Sequence, residues 1–467
     1  FYPSNFKESA ILTIDGVGEW TTASIGYGNE KNISILKELY FPHSVGLLYS
    51  AFTYFLGFKV NSGEYKLMGL APYGIEESDE TNSFIDKIKS KIVDIKKDGS
   101  IFLDQNYFKY TYGLRMIKEK KFKDLFGFNT RKEEEEITQT HCNMALAIQK
   151  VTEEIVINMA QEAKKLTNSN NLCLSGGVAL NCVANGKIEE LGLFDNIYIQ
   201  PAAGDAGGSL GCALSINHQY FENPRIYSKS YDLMNGSYLG PYFSDKEIQI
   251  MNRSNKAVAS NYKHFDKLST NVAKLISQGN VIGWFQGRSE FGPRALGNRS
   301  ILADPRNSEM QKKLNLKIKY REGFRPFAPS VIEEDYTKYF EKDIISPYML
   351  MVKNINNDIK LKIPNNYNDL NYWEKLYTKR SSLQAITHVD FSARIQTVSK
   401  DTNPKYWNLL NDFKKITGIS VLVNTSFNVR GEPIVNSPED AFRCFMNTEM
   451  DYLVIENYLY SKKEQII

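Results

Sequence analysis

The strongest chemical signal lies between Gly287 and Arg325, where cations gather in loops of glycine, phenylalanine and proline. From Arg288 to Arg325 ten Lys and Arg stand against four Asp and Glu, a balance of +6 in a chain whose net charge is +3. Arg288, Arg294, Arg299, Arg321 and Arg325 avoid the regular helical spacing of a solvated basic face. Planar guanidinium forks match phosphate and carboxylate oxygens, so a fixed anion site is expected here. Asn424-Thr425-Ser426-Phe427-Asn428 follows a buried apolar run, and its amides and hydroxyls suit a phosphate or adenylate at a strand's carboxyl end. His388-Val389-Asp390 pairs a histidine with a carboxylate in this half. His388 reads either as a general base or as a hydrogen-bonded structural histidine.

The first half carries a second group of candidates. Asp15-Gly16-x-Gly18 sets a carboxylate at a strand end beside a glycine turn, a geometry that suits a bound cation or phosphate and equally an ordinary hairpin. Ser175-Gly176-Gly177 and Gly204-Asp205-Ala206-Gly207-Gly208 each lie between a strand-like run and a helical period. Helix N-termini favour anions, and paired glycines leave room for a nucleotide. Together the three turns fit an actin-like ATPase arrangement, in which a nucleotide lies between such loops. Glu64 and Lys66 share a face if they lie on a strand and diverge if they lie on a helix.

Around these residues, strand-like runs alternate with helical periods, which predicts an α/β fold. Ala10–Asp15, Thr21–Tyr27, Asn171–Leu174, Asn196–Gln200, Val281–Phe285 and Val421–Val423 read as strands. Ile148, Val151, Ile155, Met159, Ala163 and Leu166 predict one long amphipathic helix from Met144. Turn residues between Glu222 and Tyr242 place a boundary, giving domains 1–225 and 226–467. The asparagine-rich stretch from Asn354 to Asn371 reads as a surface insertion, a lid.

Length and 42% apolar content exclude a wholly disordered chain, and no apolar run is long enough for a membrane helix. A net charge near zero gives no general reason to expect nucleic acid. Five cysteines without a CxxC pair disfavour disulfide frameworks and structural zinc, and fit a cytoplasmic setting with mostly buried thiols. The opening residues resemble no signal or transit peptide, so the chain reads as starting inside a longer protein.

Ile11–Glu19, Pro42–Gly46, Gly63–Met68, Ser175–Asn181, Pro201–Gly208, Gly287–Arg306, Arg321–Ser330 and Asn424–Pro433 together resemble, in order, the ATP-dependent O-carbamoyltransferases of the NodU/CmcH family. The resemblance implies an actin-like (ribonuclease-H-like) ATPase domain, incomplete at its N-terminus, followed by a YrdC-like α/β domain. In the second, carbamoyl phosphate and ATP with Mg2+ would give carbamoyl adenylate; in the first, a hydroxyl of a sugar-containing or other small-molecule acceptor would attack it. On this reading Arg288, Arg294, Arg299, Lys319, Arg321 and Arg325 hold oxyanions, while Asn424, Ser426 and Asn428 hold the adenylate. Gly176, Gly177 and Asn181 line the nucleotide of the first domain, Glu64 and Lys66 face the acceptor, and Asp15 and Asp205 bind a divalent metal, Fe2+. The family's remaining metal ligands, two histidines of an HHxxHA motif, are expected just before Phe1. Phe391 departs from the pattern, which calls for Gly after His-Val-Asp. The alternatives on the same folds are a threonylcarbamoyl-adenylate or tRNA-modifying enzyme and a non-catalytic nucleotide-binding remnant. The resemblance gives no oligomeric state.

Overall fold

A computed structural model describes residues 1–227 and 232–465. The chain divides into two compact units, residues 1–233 with 364–378, and residues 234–363 with 379–467. Both mix sheet and helix.

The first unit is built on alternating apolar runs. Strands β1 (Glu8–Ile14), β2 (Thr21–Asn29) and β3 (Asn32–Tyr40) form an antiparallel meander. A separate two-stranded ribbon, β4 (Val93–Ile95) and β5 (Ile101–Leu103), lies outside this sheet. β6 (Asn171–Ser175) pairs parallel with β1, and β7 (Asn196–Ile199) parallel with β6. The order is therefore β3-β2-β1-β6-β7. β1 is central and nearly all buried, so its carboxyl end opens where the adjoining parallel strand β6 also ends. That is where an α/β sheet offers a ligand site.

The long helix runs from Gln139 to Thr167, five residues earlier than its apolar period announces. Thr138 and His141 cap it reciprocally, and capping side chains leave no apolar trace. Ile148, Val151, Ile155, Met159 and Ala163 are buried against the sheet side of the unit, whereas Leu166 is 39% exposed. The stretch from residue 364 to 378 is not a free lid. It belongs to the first unit, where Tyr372, Lys375 and Leu376 are buried and Tyr372 packs 4.9 Å from the Tyr73 ring. Its polar composition hides three anchoring residues.

Two histidines act as hydrogen-bond acceptors in this unit. Nδ1 of His43 accepts the Leu103 amide at 3.0 Å, and Nδ1 of His141 accepts the Thr138 amide at 3.0 Å. Burial lowers both pKa values from the usual histidine range, with Arg131 adding to the effect at His141. The unfolded chain therefore takes up these protons first as pH drops. Stability is expected to be full above about pH 6.5 and to decline as pH falls through that value. Thermal denaturation between pH 7.5 and 5 checks this, and the His43→Asn/His141→Asn double variant should show a flatter slope.

The second unit is a mixed nine-stranded sheet among the described residues. Its strands are β8 (Ser260–Asn261), β9 (Ile282–Phe285), β10 (Arg299–Ala303), β11 (Ala328–Ile332), β12 (Met351–Asn354), β13 (Ser392–Val398), β14 (Val421–Ser426), β15 (Tyr452–Ile455) and β16 (Tyr458–Ser461). Their order is β12-β13-β11-β14-β10-β9-β15-β16-β8. Both faces are covered: Trp284, Leu302 and Leu422 pack under the helices Phe265–Ser277 and Pro404–Thr417, while Phe285, Ile301 and Val423 face a separate cluster with Phe442 and Phe445. Strands buried on both faces read as continuous apolar runs, which is why β9 and β14 are recognisable in the sequence.

Cys142, Cys173, Cys182 and Cys444 are buried, Cys212 is exposed, and all five are free thiols. Among the described residues no helix is long and apolar enough to cross a membrane.

Candidate functional site

In the second unit, antiparallel β10 and β14 set Ser300 opposite Ser426 and Leu302 opposite Asn424. The loop that leaves β14 and the loop that enters β10 thus share one edge of the sheet. Lys319, reached through a turn after the helix Met310–Lys313, is 3% exposed. Its ammonium donates to the Ser426 and Asn428 carbonyls, to Ser426 Oγ and to Asn428 Oδ1, the last at 2.7 Å. Ser426 Oγ also donates to Asn428 Oδ1 at 2.8 Å. Three residues singled out in the sequence over a span of 110 positions therefore meet in one cluster.

Arg321 and Arg325 stand close enough to affect it. Burial first, then these two guanidinium groups, push the Lys319 pKa well below the ordinary lysine value. Asn315, fully buried, shapes this loop: its Oδ1 accepts Arg321 Nε at 2.6 Å, and its Nδ2 donates to the Gly323 and Arg325 carbonyls, both at 3.1 Å. The Arg321 guanidinium lies 4.7 Å from the Phe327 ring centre, and Arg325 pairs with Glu322 at 3.8 Å. This concentration of positive charge in a partly dehydrated place is suited to an oxyanion.

Beneath it, Asn424 is 1% exposed, and its Nδ2 faces Ser330 Oγ at 3.0 Å, Gln396 Oε1 at 2.9 Å and the Ala295 carbonyl at 3.3 Å. Its Oδ1 has no hydrogen-bond partner. A buried amide acceptor left without a donor is unusual.

The arginine loop divides by role. Arg294 is half-buried in the loop, and Arg288 is exposed with Nη1 donating to the Gly240 carbonyl at 2.9 Å. Arg299 corrects the expectation of an oxyanion ligand. It is wholly buried, its two Nη atoms face the Gln286, Gly287, Asn298 and Pro241 carbonyls, and its guanidinium lies 3.5 Å from the Phe285 ring centre. Burial brings its pKa down to about 10. As the first residue of β10, it points into the sheet and organises the loop. Glu290, unremarked in the sequence, does the complementary work: its Oε1 accepts the amides of Leu296, Asn298 and Arg299 at 2.7, 2.8 and 3.2 Å. Carboxylates inside an arginine-rich motif that could cap backbone amides are the signal that would find it.

His388 sits apart in the turn before β13, 8% exposed, with Nδ1 accepting the Val389 amide at 2.7 Å. The second of its two readings, a structural histidine, describes that atom. In the same turn Phe391 adopts φ +62°, the left-handed conformation that favours glycine, with its ring against the core. The loop keeps the shape a glycine would give it and carries the backbone strain. Phe391→Ala keeps that strain and loses the ring, whereas Phe391→Gly loses both. The glycine variant is expected to be more stable than the alanine variant by about 1 kcal/mol, read by chemical denaturation.

In the first unit, Asp15 follows β1, and its Oδ1 accepts the amides of Gly16 at 2.7 Å and Gly177 at 3.1 Å. Ser44 caps the helix Val45–Phe55 and donates to the Asp15 and Gly16 carbonyls at 3.0 and 2.6 Å. A Cβ on Gly46 would stand 2.5 Å from the Asp15 carbonyl oxygen, and one on Gly176, where φ is +91°, 2.2 Å from the Ile14 oxygen. These glycines let three segments close around Asp15, while Gly16, Gly204 and Gly208 face open space.

Asn181 is not turned outward as a nucleotide-lining amide would be. It is buried, caps the helix Cys182–Glu190 through Oδ1, and pairs with Gln149. Glu64 and Lys66 lie on the helix Glu64–Leu70 and so diverge. The Glu64 carboxylate accepts Ser50 Oγ at 2.8 Å and the Asn61 and Gly63 amides, while the Lys66 ammonium lies 5.7 Å from the Phe58 ring. Asp205 is exposed and begins the helix Ala206–Ser215. No group of three or more His, Cys, Asp or Glu that could hold a metal ion gathers among the described residues.

Comparison with known proteins bears on both halves. Residues 1–214 match the family profile described as Carbamoyltransferase N-terminus, and residues 273–462 match Carbamoyltransferase C-terminus. The chain is 54% identical over 467 residues to an uncharacterized protein of Synechocystis, all of this chain and 74% of that one. It is 36% identical over 468 residues to Nodulation protein NolO of Bradyrhizobium diazoefficiens, 99% of this chain and 77% of that one. It is 30% identical over 329 residues to 3'-hydroxymethylcephem-O-carbamoyltransferase of Amycolatopsis lactamdurans, 70% of this chain and 56% of that one.

Proposed function

The chain belongs to the carbamoyltransferase family of enzymes, and on that premise we propose that it transfers a carbamoyl group from carbamoyl phosphate, through a carbamoyl adenylate made with ATP, to a hydroxyl of a sugar-containing or other small-molecule acceptor. The single observation that carries the donor half of this reading is the Lys319–Arg321–Arg325 cluster around Ser426 and Asn428. Two polyanions repel each other, and their encounter needs fixed positive charge in a place poor in water. Arg294, Arg321 and Arg325 are assigned to the oxyanions. Lys319 holds the Ser426–Asn428 loop at the distance the adenylate requires, and Glu290 with Arg299 holds the Arg294 loop.

Carbamoyl phosphate, ATP and water then give carbamoyl adenylate, pyrophosphate and phosphate. In the second step the acceptor hydroxyl attacks the carbamoyl carbon, its proton leaves, and AMP departs with the electrons of the broken C–O bond. The first unit is assigned this step. The order β3-β2-β1-β6-β7, antiparallel then parallel, supports an actin-like (ribonuclease-H-like) fold for it, and the second unit is assigned the YrdC-like role. Mg2+ is assigned to the ATP phosphates, and Asp15 is kept as a cation ligand. The free thiols support a cytoplasmic location.

The test is pyrophosphate release with ATP, carbamoyl phosphate and Mg2+. Arg294→Ala and Arg325→Ala are each expected to slow it by about 10²-fold. Unchanged rates in both variants would remove the role given to the arginine loops. Mass spectrometry of hydroxyl acceptors for an added carbamoyl group identifies the second substrate.

A further inference from the structure

Behind the glycine turns of the first unit lies a buried chain of polar side chains that the reaction itself does not use. Gln149, on the long helix Gln139–Thr167, is 2% exposed, and all four of its hydrogen-bond positions are filled. Its Oε1 accepts Tyr49 Oη at 2.8 Å and Asn181 Nδ2 at 3.1 Å. Its Nε2 donates to Asn181 Oδ1 at 3.2 Å and to Glu153 Oε1 at 2.8 Å. Gln149 and Asn181 thus form a reciprocal amide pair. Asn181 Oδ1 also accepts the Ala184 amide at 3.1 Å, which starts the next helix.

Two of its three partners, Asn181 and Tyr49, each lead to one wall of the Asp15 site. Asn181 ends the turn Ser175–Asn181, whose Gly177 amide binds Asp15 Oδ1. Tyr49 lies one turn into the helix Val45–Phe55, whose cap Ser44 binds the Asp15 and Gly16 carbonyls. One buried amide therefore ties both walls to the same rigid helix. A side chain with every valence used in a dry place specifies one arrangement, because any shift leaves a buried group unpaired.

We infer that Gln149 is a positioning residue for carbamoyl transfer: it fixes the Gly176–Asn181 turn and the Val45–Phe55 helix at the spacing the adenylate needs across Asp15. This rests on the reading of that turn as a nucleotide wall.

Hydrogen exchange of the whole chain, read by mass spectrometry with and without AMP, tests it. Gln149→Met is expected to speed exchange of the amides of 176–184 by about tenfold and to leave those of 282–303 within about twofold. The AMP concentration that half-protects the turn is expected to rise about tenfold. Asn181→Ser keeps a capping oxygen but cuts the amide pair, and should loosen the same turn. Tyr49→Phe keeps the pair, so it should loosen the start of the Val45–Phe55 helix and leave the exchange of 176–184 unchanged. The double variant Gln149→Met/Asn181→Ser should lose no more than the larger single effect. Unchanged turn exchange in Gln149→Met and Asn181→Ser, acceleration spread evenly over residues 1–215, or multiplying effects in the double variant would each overturn the inference. If AMP fails to protect the wild-type turn while Gln149→Met still loosens it, the nucleotide reading falls and takes the role in carbamoyl transfer with it, leaving Gln149 as a structural tie of the turn.

Discussion

Lys319→Met is expected to cut pyrophosphate release by about 10²–10³-fold while changing thermal stability little. Two effects compete in that substitution. Removing the ammonium relieves the burial of a charge, which alone would be neutral or stabilising. It also strips the Ser426 and Asn428 carbonyls of their donor, at about 1–3 kcal/mol for each buried oxygen left unpaired. The opposed terms leave the melting temperature nearly in place. Activity has no such compensation. Without the ammonium, the loop after β14 loses its hold on the turn that carries Arg321 and Arg325, and one of the three positive charges is gone. The contrast between rate and stability separates this role from simple packing: a full rate in Lys319→Met would remove Lys319 from the site. Lys319→Arg should not rescue, because a planar guanidinium cannot sit among four oxygens that surround a point charge.

The amides and hydroxyl of Asn424, Ser426 and Asn428 were readable from residue types after a buried apolar run, whereas Lys319 entered only through the family resemblance. Direction was not readable. Arg294 and Arg299 look alike in the sequence, five positions apart in one motif, yet Arg299 opens β10 and is turned inward while Arg294 stays in the loop. Glu290 was counted only as a charge, since nothing in its neighbours' types announces three amides converging on one oxygen. Glu64 and Lys66 illustrate a related limit. A seven-residue segment carries too few apolar positions to separate a period of two from one of 3.6, and the helix sends the two side chains apart. Residues 364–378 were missed for a different reason. Their membership of the first unit depends on contacts with Tyr73 and its surroundings nearly 300 positions earlier, a long-range outcome that asparagine-rich composition conceals.

The closure around Asp15 is also long-range: Asp15 and Gly177 are 162 positions apart and meet because β1 and β6 pair in parallel. That pairing sets a large expected stability effect, from Gly176→Ala. The added Cβ would stand 2.2 Å from the Ile14 oxygen and 2.6 Å from its carbon, both backbone atoms of the central strand, with φ at +91°. Neither the strand nor the turn can yield alone, since Gly176 also donates its amide to the Ala203 carbonyl at 2.8 Å. Backbone strain of about 1–3 kcal/mol adds to the clash, so a loss of about 4 kcal/mol is expected. In a unit of this size that lowers the melting temperature by about 10 °C. Gly177→Ala next door makes the comparison. Its Cβ would meet only Asp15 Oδ1, at 3.0 Å, and a carboxylate can turn aside. It should melt close to the wild type while weakening whatever Asp15 binds. Differential scanning calorimetry resolves the two, and equal melting losses would mean that the turn is freer to move than its contacts with β1 require.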